Sequence, residues 1–278
     1  MIRRYFIGVR SPAVTLRAPL VWFLIAFAWI PVAAEARCSL SIDAAEAHTL
    51  AAKVWRNESG GDFDKILWWN PGEAFASAGI GHFIWYPPGV QGPFHESFPE
   101  LLAFLSSRGV AMPEWLAEDP TGDCPWPTRG DFLDQRDGPE AMELRRLLID
   151  TIPLQAQFLL ARLESALDKI IAVVPADEAT VTESRFCTLA ATPAGRYALV
   201  DYVNFKGEGT KPRERYAGDG WGLAQVLEEM RGEPPADVDF AEAAARVLAR
   251  RVSNAPPERR EQRWLPGWLR RVDSYRRD

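Results

Sequence analysis

Apolar residues recur at spacings of three and four along most of the chain, the period of a helix with one buried face. Ala47, Leu50, Ala51 and Val54 form the first such stripe. With Ser41 or Asp43 as cap and Gly60-Gly61 as stop, the spacing predicts a helix from Ala44 to about Asn57. Trp68-Trp69-Asn70-Pro71-Gly72 is a turn signal. The run from Ala74 to Tyr86, interrupted by Gly79 and Gly81, reads as a short strand pair closed by Pro87-Pro88-Gly89. Ser97 to Arg108 reads as an amphipathic helix with Leu101, Leu102, Phe104 and Leu105 inward, and Pro113 to Trp115 opens a turn. Residues 119–138, rich in Pro, Gly and Asp, read as an irregular inserted loop. A long helical pattern follows from Glu140 to about Ile171, carried by Met142, Leu144, Leu147, Leu148, Leu154, Phe158, Leu159, Leu163, Leu167 and Ile170. Pro153 should kink or divide it. Thr180 to Leu189 is a short helix or loop, and Gly195 to Phe205 is helical with Tyr197, Leu199, Val200 and Val203 as core. A polar, glycine-rich loop spans residues 206–220, before helices from Gly222 to Met230 and from Phe240 to Val252. Many helices and few strands define an α+β class, mainly helical with one small β-hairpin.

The first residues follow another pattern. Arg3, Arg4, Arg10 and Arg17 precede an apolar run from Pro19 to Ala34, and Ala34-Glu35-Ala36 has the small-residue spacing of a cleavage site. Residues 1–36 are therefore expected to be a secretory signal peptide, and residues 37–278 a periplasmic or secreted domain. Contact with a membrane is expected only through the leader, if it stays uncleaved. Removing a leader with four arginines and one glutamate takes the net charge from −6 to −9, which argues against nucleic acid as the main partner. Ten arginines from Arg246 onward make the C-terminal extension locally basic, read as a solvated face or as partners for the acidic remainder. Cys38, Cys124 and Cys187 allow one disulfide and one spare thiol, with the pairing left open. No two cysteines have metal-ligand spacing, and His48, His82 and His95 are the only imidazoles, so neither a metal nor another cofactor is expected. Cys124-Pro125-Trp126 sits in a proline-rich stretch without a helix start to activate a thiol.

Candidate chemistry centres on Glu58, which continues the stripe of Val54, Ala51, Leu50 and Ala47 into the last helical turn. Apolar packing and the negative end of the helix dipole would both disfavour its anion, as a general acid requires. Glu58, then a turn, then Ser77-Ala78-Gly79-Ile80-Gly81-His82 resembles the phage-type lysozymes, where a helix-borne Glu precedes a hairpin carrying Thr-Ile-Gly-x-Gly-His. Tyr202-Val203-Asn204-Phe205-Lys206-Gly207-Glu208-Gly209 and Glu58-Ser59-Gly60 are also similar to motifs of the soluble lytic transglycosylases.

The resemblance implies a lysozyme-like domain with the hairpin beside a cleft and residues 195–205 as a buried central helix. It implies Glu58 as general acid and Ser77 as the hairpin hydroxyl that positions a water. The family's aspartate has no clean counterpart; Asn70 lies nearest, with Asp62, Asp64 and Glu73 around it, and Glu208 or Glu214 are further candidates for a second carboxylate. Trp69, Trp85, Tyr86 and Tyr216 offer flat faces for sugar rings, and Asn204 is placed to reach the hairpin or the acid. His82 is read as a structural histidine that supports the hairpin. The expected function is cleavage of peptidoglycan or a related amino-sugar polymer, by hydrolysis or by the transglycosylase route. The alternative is a non-catalytic cell-wall-binding or scaffold protein with such a cleft.

Overall fold

The computed structural model describes residue 38 and residues 40–118 and 122–276; the expected signal peptide lies outside these. Helix α1, Ala44–Ser59, begins where the Asp43 carboxylate accepts from the Glu46 N–H and ends at Gly60 in the left-handed conformation. Three short antiparallel strands follow, β1 (Leu67–Trp68), β2 (Ala76–Ala78) and β3 (Phe83–Trp85), in that order across the sheet. The extra strand contains Trp68, read above as part of a turn. Trp68 pairs with Ser77 and Ser77 with Ile84, so these three share one face, while Leu67, Ala78 and Phe83 share the buried other.

Helices α2 (Phe98–Ser107) and α3 (Glu114–Ala117) come next. Residues 119–138 are not all irregular: α4, Arg129–Gln135, starts where Thr128 accepts from the Asp131 N–H and packs Phe132 into the core. This cap is the local signal that a loop reading of the segment overlooks. Pro153 divides the long apolar pattern into α5 (Pro139–Asp150) and α6 (Ile152–Ile171), because it sits in the first turn of the second helix, where its missing N–H is tolerated. Met142 faces solvent instead of the core. Then come α7 (Ala179–Ala190) and α8 (Pro193–Lys206). The glycine-rich segment contains a two-stranded ribbon, β4 (Arg215–Tyr216) and β5 (Asp219–Gly220). The chain ends in α9 (Leu223–Glu229), α10 (Ala236–Asn254) and α11 (Leu265–Asp273).

The fold is α+β and mainly helical. Helix α8 is buried on nearly every side, packing against α1, α6, α7, α9 and α10, while α1 lies along α6 and α11 along α10. Cys38 and Cys187 form the disulfide, tying the segment before α1 to α7 across 149 residues; such a closure restricts the unfolded chain. Cys124 is buried, and burial pushes its thiol up to about 12, which leaves it inert. Among the described residues no helix is long and apolar enough to cross a membrane.

The turn joining β2 to β3 is held from outside the sheet. Gly79 adopts a φ of 76°, and a Cβ there would collide with the Gln155 side chain. Gln155, fully buried at the start of α6, accepts from the Ile80 N–H at 2.9 Å and donates to the Leu148 carbonyl at 2.6 Å and to Thr151 Oγ1 at 3.1 Å. One amide therefore fixes the turn relative to two helices. Q155A should lower the unfolding free energy by about 2–4 kcal/mol in urea titration, because it strands buried polar groups. A loss under about 0.5 kcal/mol would show that the turn does not depend on this amide.

Candidate functional site

Glu58 occupies the last turn of α1 with 16% of its side chain exposed. Its surroundings differ from the apolar ones expected above. Oε1 accepts from Asn204 Nδ2 at 3.1 Å and from Arg271 Nη2 at 2.5 Å, and Oε2 lies 3.8 Å from His82 Nδ1. Asn204, on α8, also donates to the Gly81 carbonyl at 3.2 Å. It therefore bridges the end of the first helix and the turn of the sheet. His82 has a left-handed backbone, with φ of 46°. Burial lowers its pKa, against the opposing pull of Glu58 and Glu73, so the ring is neutral near pH 7. It is a polar contact of Glu58 and not its counter-ion.

The counter-ion is Arg271, and it is shared. Asp201, fully buried on α8, accepts from Arg271 Nε and Nη2, both at 2.8 Å, from Tyr275 Oη at 2.6 Å and from Asn57 Nδ2 at 3.1 Å. Burial works against the Arg271 charge, but Asp201 and Glu58 outweigh it and raise its pKa. Burial beside Asp201 raises the Tyr275 phenol well above its ordinary value. The guanidinium also lies 4.2 Å from the centre of the Phe205 ring. Two carboxylates thus face one guanidinium, and Asp201 has the bidentate share.

Beside this cluster is a cavity of about 630 Å³. His82, Gly81 and Asn204 line it; Glu58 does not, but it touches two residues that do. Ile84, Val203, Phe205 and Trp221 supply apolar wall, and Arg162, Lys169, Lys206, Lys211 and Arg251 supply cationic groups.

The other sequence-derived candidates divide. Glu208 and Glu214 line the cavity, and Glu208 pairs with Lys169 at 2.7 Å. Ser77 is buried in β2 on the face it shares with Ile84; it does not line the cavity and is not hydrogen-bonded to Glu58. Asn70 donates to Glu73 in the turn between β1 and β2. Trp69, Trp85 and Tyr86, expected as sugar platforms, are core residues. Trp69 Nε1 donates to the Glu73 carbonyl, Trp85 Nε1 to the Gly122 carbonyl, and Tyr86 packs edge-on against Phe75. Tyr216 lies against Trp221 and donates to Glu261, outside the cavity lining. Among the described residues no three of His, Cys, Asp or Glu gather as a metal site would require.

Sequence reasoning missed Arg162, Lys206 and Arg271. A signal for the last was available: Asp201 interrupts the apolar run from Tyr197 to Val203, and a carboxylate inside such a run needs a cation from elsewhere. Comparison with known proteins gives no counterpart, as no protein-family model, no curated protein and no solved structure matches the chain.

R271M would leave Asp201 buried without its cation and should cost about 3–5 kcal/mol in urea unfolding. D201N/R271M should cost less than R271M alone, because the stranded charge goes with its partner. A double variant no more stable than R271M would show that charge compensation is not what α11 supplies.

Proposed function

We propose that the protein is an exported glycan-cleaving enzyme of lysozyme-like type, acting on peptidoglycan or a related amino-sugar polymer with Glu58 as proton donor. The observation that carries this reading is the bridge made by Asn204. It holds the carboxyl group at the foot of α1 against the turn of a small antiparallel sheet, at the end of a cavity large enough for sugar rings. The disulfide and the expected leader support export.

Cleaving a glycosidic bond needs a proton for the departing oxygen and a means to stabilise or capture the positively charged sugar. In this reading Glu58 supplies the proton, and the Arg271–Asp201 pair beneath it stabilises the carboxylate that remains. Asp201 has no part in attack, since its oxygens are taken by Arg271, Tyr275 and Asn57. Glu208 and Glu214 are the carboxylates that line the cavity, and Lys169 holds the first. In the hydrolytic route one of them would activate a water, and in the transglycosylase route the sugar's own hydroxyl group attacks. One observation favours the rival, a non-catalytic wall-binding protein: Glu58 is already bonded to Arg271 and lies behind the cavity lining.

E58Q preserves size and hydrogen bonding but removes the transferable proton. Muropeptide release from purified cell walls should fall by about 10²–10⁴-fold in E58Q while wall binding is retained. Mass spectrometry of the wild-type products then distinguishes reducing ends, formed by hydrolysis, from anhydro ends, formed by transglycosylation. Wall binding without release in either form would establish the rival.

A further inference from the structure

The cationic groups of the cavity are not balanced by its carboxylates. Lys169 is paired with Glu208 at 2.7 Å, and Arg251 is held by Glu261 through two hydrogen bonds of 2.8 Å. Three cations stand apart from these pairs: Lys211 on the glycine-rich segment, and two that are set in helices. Arg162 on α6 and Lys206 at the end of α8 make no hydrogen bond and no ion pair among the described residues, yet both are half-buried. What they touch is aromatic. The Arg162 guanidinium lies 6.0 Å from the ring centre of Phe83 and 5.8 Å from that of Phe158. Lys206 Nζ lies 3.9 Å from the ring centre of Phe205 and 3.4 Å from that of Trp268.

Ring faces offset only part of the cost of desolvating a full charge. Burial lowers the Arg162 pKa against the pull of Glu100 and Glu208. Burial, then Arg251 and Arg271, push Lys206 down to about 6, opposed by Glu261. A folded chain gains nothing from keeping two such groups unpaired around an open cavity unless a bound partner supplies the missing negative charge.

We infer that the cavity is an anion subsite in which Arg162 and Lys206, from two different helices, receive a carboxylate carried by the sugar chain. The ligand is then an acidic glycan and not a neutral chitin-like one. This inference rests on the glycan-cleaving reading for the identity of the chain and adds the charge that the chain must carry. The carboxylate has two sources, a muramic acid side group or a uronic acid ring, and both would meet the same two cations.

The test is calorimetric titration with three probes of equal ring number. These are an alternating N-acetylglucosamine–N-acetylmuramic acid tetrasaccharide, its carboxyl methyl ester, and tetragalacturonate. At least one acidic probe should bind wild-type protein about tenfold more tightly than the ester, the size of one charge-assisted contact, and the stronger acid identifies the source. R162Q and K206M should each abolish that preference while leaving ester binding within about twofold. K206M should melt no lower than wild type, since near neutral pH it removes a desolvated amine that is mostly uncharged until a bound anion draws a proton onto it. Should R162Q fail to fold, R162K must keep the preference for acid. Equal binding of acid and ester by wild type, or equal weakening of both by the variants, overturns the inference. Failure of the enzyme reading is separately visible: acid preference without any muropeptide release leaves the subsite standing and removes the catalysis. Release from neutral chains with no acid preference does the reverse.

Discussion

A buried aspartate and the arginine that neutralises it govern the arrangement of this molecule. Asp201 lies within the most enclosed helix, and a carboxylate there is tolerable only if every lone pair is engaged and a cation is adjacent. Arg271 reaches it from α11, seventy residues further along the chain, with Tyr275 and Asn57 completing the shell. This requirement binds the C-terminal helix to the core, and it also draws in α1, because the same guanidinium reaches Glu58. One ion thus joins the first helix, the central helix and the last. Structural need and the candidate chemistry meet on the same atoms.

The second constraint is the placement of the small sheet. Gln155 holds the turn at Gly79 and Ile80 from one side, and Asn204 holds the Gly81 carbonyl from the other. Neither contact is local in sequence, and both come from helices that are themselves well packed. The sheet, with three strands of two or three residues each, is too short to be stable alone. Its position beside Glu58 is therefore a property of the helices around it, and the cavity inherits their rigidity.

These features explain which parts of the molecule are legible in the sequence. The stripe Ala47, Leu50, Ala51, Val54 and the Gly60 stop are local signals, and α1 follows them closely. Pro153 divides α5 from α6 for the local reason that it cannot donate a backbone hydrogen bond within a helix. The motif around Asn204 places it to reach the hairpin or the acid, and its side chain touches both. Aromatic residues are harder to assign. Trp69, Trp85 and Tyr86 are flat and amphipathic wherever they lie, so composition alone does not separate a cleft wall from a core. The arginine-rich extension is legible as basic, but its pairing is not. Arg271 and Glu58 are 213 residues apart, and no periodicity links them. Arg162 and Lys206 are invisible for the same reason: their significance lies in lacking a partner, which only the folded arrangement reveals.

On the proposed reading, a sugar chain in the cavity presents its glycosidic oxygen to the carboxyl group at position 58. The most direct measurement is a crystal structure of the E58Q variant with an amino-sugar hexasaccharide bound. The side-chain amide at position 58 should lie within about 3 Å of one glycosidic oxygen, with the rings running along the wall formed by Ile84, Val203 and Trp221. A chain bound elsewhere, or one held in the cavity with Asn204 and His82 still closed between it and residue 58, would contradict it.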